Sequence, residues 1–261
     1  MDCMQLFIEE QKEQKTLLVM SHCVLGFPSL EENMQCIDAL VEANVDIIEL
    51  QMPFSDPIAD GVVLTEACHH ALRGKVKLAD LFALLKKASE KHRNTAFVVM
   101  TYFNPIYQFG LERAARFLSD CGAKSIIVPD LPSHLAVGFN VYLDKYDIQV
   151  MPMITSLDEK KRREDKLKSN KTMVYCVARA GVTGKETQWN GETADFLSAV
   201  RETSETAMGV GFGVTQLADI EWLKGKTDVA IMCTEFIRRY RDQGLQQAAG
   251  FMSSVTQLAH N

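Results

Sequence analysis

The sequence predicts an α/β fold, a (β/α)8 TIM barrel made by residues 1–261 as a single domain, and three observations carry the prediction. Eight short apolar runs rich in Val, Ile and Met recur along the chain. Segments of helical period lie between them, so each strand candidate is followed by a helix candidate. The runs are continuously apolar rather than alternating, which suits strands covered on both faces, as parallel strands joined by helical crossovers are. A doubly wound open sheet fits the same observations, because periodicity does not report closure.

In chain order, the first strand candidate is "TLLVMSHCVL" at 16–25, followed by the helix "SLEENMQCIDALVEA", which Ser29 and Glu32 open as a capping box. The second is "VDIIELQM" at 45–52, and about 42 residues separate it from "TAFVVMTY" at 95–102. That interval holds an extra helix in "GVVLTEACHHALRGK" before "LADLFALLKKASEKH"; insertions after strands build active sites in this fold. The helix "LERAARFLSDCG", closed by Gly122, leads to "KSIIVPD" at 124–130. "IQVMPMI" at 148–154, "TMVYCVA" at 172–178, "AMGVGF" at 207–212 and "DVAIMC" at 228–233 complete the set, and additional helices are expected near the termini. The charge run "DEKKRREDKLKSNK" at 158–171 reads as the solvated face of a helix.

A net charge of -6 and the lack of a basic stripe interleaved with aromatics argue against nucleic acid, leaving small molecules or proteins as partners. The 7 cysteines show no CxxC spacing, and residues such as Cys36 and Cys176 sit in apolar surroundings, as reduced, buried thiols do. A cytoplasmic location is expected. The start "MDCMQLFIEEQKEQK" lacks the pattern of a signal peptide, and no apolar run approaches the roughly 20 residues of a membrane span.

Within "DIIELQMPFSDPIADGVV" a glutamate interrupts an apolar run, and a buried carboxylate costs several kcal/mol unless it is paired, neutralised or used. Side chains alternate on a strand, so Ile47, Glu49 and Gln51 share one face. Glu49 then projects toward the barrel mouth, where catalytic residues of this fold lie, unless it forms a salt bridge inside the barrel. Asp56 and Asp60 follow on the next loop, where Asp before Pro or Gly is also ordinary turn chemistry. His69 and His70 are adjacent with no third ligand at metal spacing, so no metal is expected. "RAGVTGKE" and "GVGFGVTQ" fit neither nucleotide fingerprint. They follow strands six and seven; backbone N–H groups after strands seven and eight, with the N-terminus of a short helix, form the usual phosphate site of a barrel, so a phosphorylated small substrate is expected.

In this order and at these spacings, "ELQMPFSDPIADG", "PDLP", "RAGVTG" and "GFGVT" resemble the tryptophan synthase alpha chain family, over nearly the whole chain. The resemblance implies a TIM barrel that cleaves indole-3-glycerol phosphate to indole and glyceraldehyde 3-phosphate. It also implies allosteric activation of a beta chain within an alpha2beta2 heterotetramer. The PLP cofactor is implied for that beta chain, with none in this one. Glu49 matches the family's general acid/base, which protonates the indole ring carbon, and Asp60 matches the carboxylate that accepts the indole N–H. The chemistry needs a neutral donor at an apolar mouth and a second carboxylate that stays ionised in a wetter loop. Tyr102, Tyr175, Gly184, Phe212 and Gly213 match substrate-binding positions, Thr183 matches the loop residue that closes over the site and orients Asp60, and Pro53, Asp56, Asn104 and Pro132 match positions that meet the beta chain.

The chain departs from the family pattern around the substrate. Cys233 and Thr234 replace the usual Gly-Ser of the phosphate site, where a Cβ crowds a backbone position suited to close approach or positive φ. His22 stands where Phe usually meets the indole, Gln51 replaces a Gly, and Ala178 replaces a Ser. Three readings are open at this point. One is an active lyase, one a catalytically impaired chain that chiefly binds and activates the beta chain, and one another phosphate-binding barrel enzyme.

Overall fold

The computed structural model describes residues 3–168, 170–178, 189–211 and 213–261. Eight parallel strands form one sheet: β1 (Leu18–Val24), β2 (Ile47–Gln51), β3 (Ala96–Met100), β4 (Ser125–Ile127), β5 (Met153–Thr155), β6 (Val174–Val177), β7 (Met208–Gly211) and β8 (Val229–Ile231). Their spatial order is β4-β3-β2-β1-β8-β7-β6-β5. First and last strands in sequence are therefore neighbours, with Leu18 opposite Val229, as a barrel requires and a doubly wound sheet does not allow.

The ring is nearly closed. Between β4 and β5 a single bridge, Ile126 to Val150, completes it. Two hydrogen bonds flank that bridge, from Ile126 N–H to the Gln149 carbonyl at 3.0 Å and from Met151 N–H to the Ile126 carbonyl at 2.8 Å. The fifth strand starts later than its apolar run predicts. Pro152 has no N–H to give to a ladder, although its carbonyl still accepts from Tyr175 N–H at 2.9 Å.

The helices are α1 (Cys3–Lys12), α2 (Leu30–Glu42), α3 (Val62–Arg73), α4 (Leu78–Lys91), α5 (Phe103–Phe109), α6 (Leu111–Asp120), α7 (Ser133–Lys145), α8 (Lys160–Lys168), α9 (Gly191–Thr203), α10 (Leu217–Leu223), α11 (Thr234–Gln243) and α12 (Leu245–His260). The expected extra helices are α3 after β2, α1 at the start and α12 at the end; α5, after β3, is a further one. Ser29 caps α2 by accepting from Glu32 N–H at 3.2 Å, while its hydroxyl donates to the Glu32 carboxylate. Gly122 ends α6 at φ +85°, where a Cβ would also fall 2.7 Å from Ser89 Oγ. On α8 only Leu167 is buried, as the charge run implied.

Alternation along each strand makes two apolar layers. Leu18, Met20, Ile47, Ala96, Val98, Met173, Val229 and Ile231 face the barrel interior, whose N-terminal end is plugged by Met4 and Ile8 of α1. Val19, Ile48, Leu50, Phe97, Val99, Val210 and Ala230 face the surrounding helices. β7 is the thin wall of the interior. At Gly209 a Cβ would stand 2.9 Å from Ile231 Cδ1, and at Gly211 it would stand 2.8 Å from Cζ of the Tyr175 ring.

The space that Gly211 leaves is therefore occupied by Tyr175. Gly211→Ala should destabilise the fold by about 1–3 kcal/mol, the usual range for overpacking, read from denaturant unfolding. Adding Tyr175→Phe, which removes the hydroxyl nearest the new methyl group, should recover part of the loss. An unchanged midpoint in Gly211→Ala would show that the ring is not held there.

Candidate active site

The site begins in the β1–β2 register. His22 lies opposite Glu49 and Val24 opposite Gln51, so inward-facing positions at the C-terminal ends of both strands meet at the barrel mouth. Glu49 is 5% exposed, His22 1% and Gln51 0%. Burial of so many polar atoms is offset by mutual satisfaction. Nε2 of His22 donates to Oε1 of Gln51 at 2.7 Å, and Nε2 of Gln51 donates to Oδ2 of Asp60 at 2.6 Å. Tyr102 OH donates to the same Asp60 oxygen at 3.2 Å and accepts from Ala59 N–H at 3.1 Å. Phe54 stacks on Tyr102, 5.3 Å between centroids, and fixes the ring from the loop side.

At the other end of this chain of groups, His22 Nδ1 stands 2.9 Å from Glu49 Oε1. Nδ1 has no hydrogen-bond partner of good geometry, so the pair is a close charge contact. Burial acts to lower the His22 pKa, but the Glu49 charge and contact, with Asp60 and Gln51, together raise it above the ordinary histidine value. Asp60 is pushed up to about 6, chiefly by burial, against the Gln51 hydrogen bond and the charge of His22, which favour its ionised form. Asp60 does not sit in a wet loop as expected from the sequence. It is 9% exposed, because the loop folds its carboxylate back over the mouth onto Gln51 and Tyr102.

Cys233 completes the floor, with Sγ 4.0 Å from Glu49 Oε2. Its backbone lies at φ -97°, ψ -66°, so the positive-φ crowding expected at this position does not arise; the Cβ carries the thiol inward. Burial, then the charges of Glu49 and Asp60, hold that thiol well above its usual pKa. Tyr175 also lines the mouth, and burial keeps its hydroxyl neutral. Thr234 follows Cys233 as the first residue of α11, and Gly213 after β7 lies at φ +109°, a conformation that favours glycine. Thr183, Gly184 and Phe212 lie outside the described residues.

Of the residues matched to a partner surface, Asp56 and Asn104 are exposed, Pro132 is half-buried and Pro53 is buried beneath its own loop. Asp130, within "PDLP", accepts from Phe103 N–H at 2.7 Å and so ties the β4 loop to the start of α5. Gln51, which bridges His22 and Asp60, is the site residue that sequence reasoning undervalued. It was visible as a departure beside Glu49, and its two-residue spacing placed it on the inward face, but both partners come from other segments.

The described cavity between these groups, walled by Leu64, Met100, Ile127, Pro129 and Met153, holds about 30 Å³. That is room for one water and not for an indole ring. A larger cavity of about 690 Å³ lies at the β4–β5 seam between α7 and α8, lined by Gln149, Pro152, Arg162 and Lys166 among others. It contains none of the buried acid–base groups that line the smaller one.

Comparison with known proteins bears on the family and the fold. The family model of the tryptophan synthase alpha chain matches residues 7–260. The tryptophan synthase alpha chain of Desulforapulum autotrophicum is 35% identical over 252 residues, covering 97% of this chain and 99% of the relative. That of Syntrophotalea carbinolica is 33% identical over 248 residues, covering 95% and 98%. A solved structure of Mycobacterium tuberculosis tryptophan synthase superposes with a TM-score of 0.92 at 23% identity, covering 100% of this chain and 99% of that one, a likeness of fold. With the family pattern running from near the first residue to near the last, and with relatives of over 30% identity along almost their full length, this chain belongs to the tryptophan synthase alpha chain family.

Proposed function

We propose that this barrel, acting as one domain, cleaves indole-3-glycerol phosphate to indole and glyceraldehyde 3-phosphate, with Glu49 and Asp60 dividing the acid–base work. The observation that carries the reading is the convergence of both buried carboxylates on one small cavity, linked through His22 and Gln51. Glu49 acts as the general acid and gives a proton to the indole ring carbon that bears the side chain. The positive charge that develops on the ring is stabilised by ionised Asp60, which accepts the indole N–H. The carbon–carbon bond then breaks, its electron pair restores the aromatic ring, and the adjacent hydroxyl becomes an aldehyde. Its proton passes to the Glu49 carboxylate, which regenerates the acid.

His22 meets the indole, and Tyr102 holds Asp60 in place through its hydroxyl. The phosphate is held by backbone N–H groups near Gly213 and at the N-terminal end of α11, where Thr234 starts the helix. Thr183, Gly184 and Phe212 belong to the same proposed substrate set. Because the described cavity accommodates one water, substrate entry requires side chains at the mouth to move apart.

The family works with a beta chain. We propose an alpha2beta2 assembly in which the loop carrying Asp56, with Pro53, and the segment from Asn104 to Pro132 face the beta chain, which holds the PLP. No cofactor is proposed in this chain. Among the described residues no helix is long and apolar enough to cross a membrane, and a cytoplasmic setting is proposed.

Glu49→Gln keeps the shape but cannot donate the proton, and single-turnover cleavage should fall by about 10²- to 10⁴-fold. Asp60→Asn should be comparably severe; substantial cleavage by Glu49→Gln would place the acid elsewhere. Activation is a separate function, since it needs only a differential interaction with two states of the partner. Glu49→Gln should therefore still raise beta-chain turnover of serine and added indole, while Asp56→Ala should blunt it; the reverse pattern would route the signal through the catalytic carboxylate.

The pH profile provides an independent check. Asp60 acts in its ionised form, so kcat/KM should decline as pH falls below about 6. Gln51→Met removes a donor that favours the ionised form, and the acid limb should move to higher pH. A limb that stays in place would remove Asp60 from the titration.

A further inference from the structure

The three side chains on the cavity floor are a nitrogen, an oxygen and a sulfur donor. His22, Glu49 and Cys233 bring one ligand atom each to within 4.8 Å of one another. Tetrahedral zinc, with bonds of about 2.0–2.3 Å to such donors, sets them about 3.3–3.8 Å apart. His22 Nδ1 lies 2.9 Å from Glu49 Oε1 and Cys233 Sγ 4.0 Å from Glu49 Oε2, so small side-chain adjustments are needed to bring one carboxylate oxygen to that spacing from both. The cavity they line, about 30 Å³, is the size for one ion or one water.

A second observation is independent of spacing. Asp60 accepts from Gln51 Nε2, which turns Gln51 Oε1 toward His22, so His22 Nε2 must carry a hydrogen. Nδ1 is thereby left facing Glu49, fully buried, and without a hydrogen bond. A buried nitrogen 2.9 Å from a buried carboxylate oxygen calls for positive charge at the contact, which either a proton on Nδ1 or a bound cation supplies. Ligating histidines in proteins characteristically donate their other ring N–H to an oxygen acceptor that fixes the ring, which is the role Gln51 plays here. Neither a proton nor a hard cation such as magnesium has use for the sulfur of Cys233, whereas zinc and its analogues do.

We propose that His22, Glu49 and Cys233 form a binding site for a single thiophilic divalent cation, zinc above all, on the floor of the cavity. The sequence reading expected no metal because it weighed His69 and His70, which in the structure bond instead to the carbonyls of Ser55 and Pro28. The three donors proposed here come from β1, β2 and the end of β8, with no spacing motif to join them. A cation held there occupies Glu49, so that metal binding and acid–base work at this residue exclude each other. The site itself stands on geometry whatever Glu49 does in turnover.

Cobalt chloride titrated into the chelator-stripped full chain is the test, because a thiolate-to-cobalt charge-transfer band reports the sulfur directly. One equivalent should develop the band, and zinc should displace it. Cys233→Ala should abolish the band, and His22→Phe should abolish or strongly weaken binding while circular dichroism shows the fold retained. Gln51→Met should weaken binding by about 10- to 100-fold, the usual effect of losing a ligand's supporting partner. Cys3→Ser, which changes the other half-exposed cysteine, should leave all of this unchanged. The absence of a thiolate band in the unmodified chain, or a band that survives in folded Cys233→Ala or in full in His22→Phe, would overturn the proposal.

Discussion

Two carboxylates share the mouth of an apolar barrel, and the amide of Gln51 is what lets them coexist. Its two ends are chemically different, and each meets the partner it suits: the donor end meets Asp60, and the acceptor end meets His22. His22 in turn places positive character beside Glu49. Without that bridge, two acidic groups would be buried in one small space with their repulsion unopposed. The orientation of the histidine ring follows from the way this one amide is turned, and the same amide, by donating to Asp60, opposes the rise that burial imposes on the Asp60 pKa.

The rest of the architecture keeps the bridge dry and in register. Parallel pairing sets His22 beside Glu49 and Val24 beside Gln51, so a slip of one residue in β1 would send the imidazole outward. Below, the apolar interior and the plug from α1 exclude water from the stems of these groups. Above, Tyr102 buttresses the loop, bonded to Ala59 and Asp60 and stacked on Phe54. Gly211 yields the volume that Tyr175 fills on the opposite wall.

Much of this was legible in the sequence, because strands buried on both faces and capped helices leave local marks. The runs around Ile47, Val98 and Val210, the box of Ser29 with Glu32, and Gly122 each act through neighbours in the chain. The inward aim of Glu49 followed from two-residue alternation. What escaped was what depends on distant segments. Pro105 hid α5, since a proline is tolerated in a first helical turn yet reads as a breaker. The burial of Asp60 escaped because nothing local reports that its loop folds back onto Gln51. His22 and Gln51 read as disturbances of a family pattern, when each is the other's partner across two strands.

The single bridge between β4 and β5 divides the labour of the molecule. Each backbone hydrogen bond contributes about 0.5–1.5 kcal/mol net, so a pairing of one bridge is the weakest joint of the ring, whereas β1 and β8 are paired over three residues. The ring is thus a clasped band whose hinge lies opposite its clasp. His22, Glu49, Gln51, Asp60 and Tyr102 all belong to the arm running from β1 to β4, and Tyr175, Gly213 and Cys233 to the arm running from β5 to β8. The imidazole and both carboxylates are housed in one arm and the Cys233 thiol in the other. Parting the clasp would widen the cleft between them while leaving the Gln51 bridge intact.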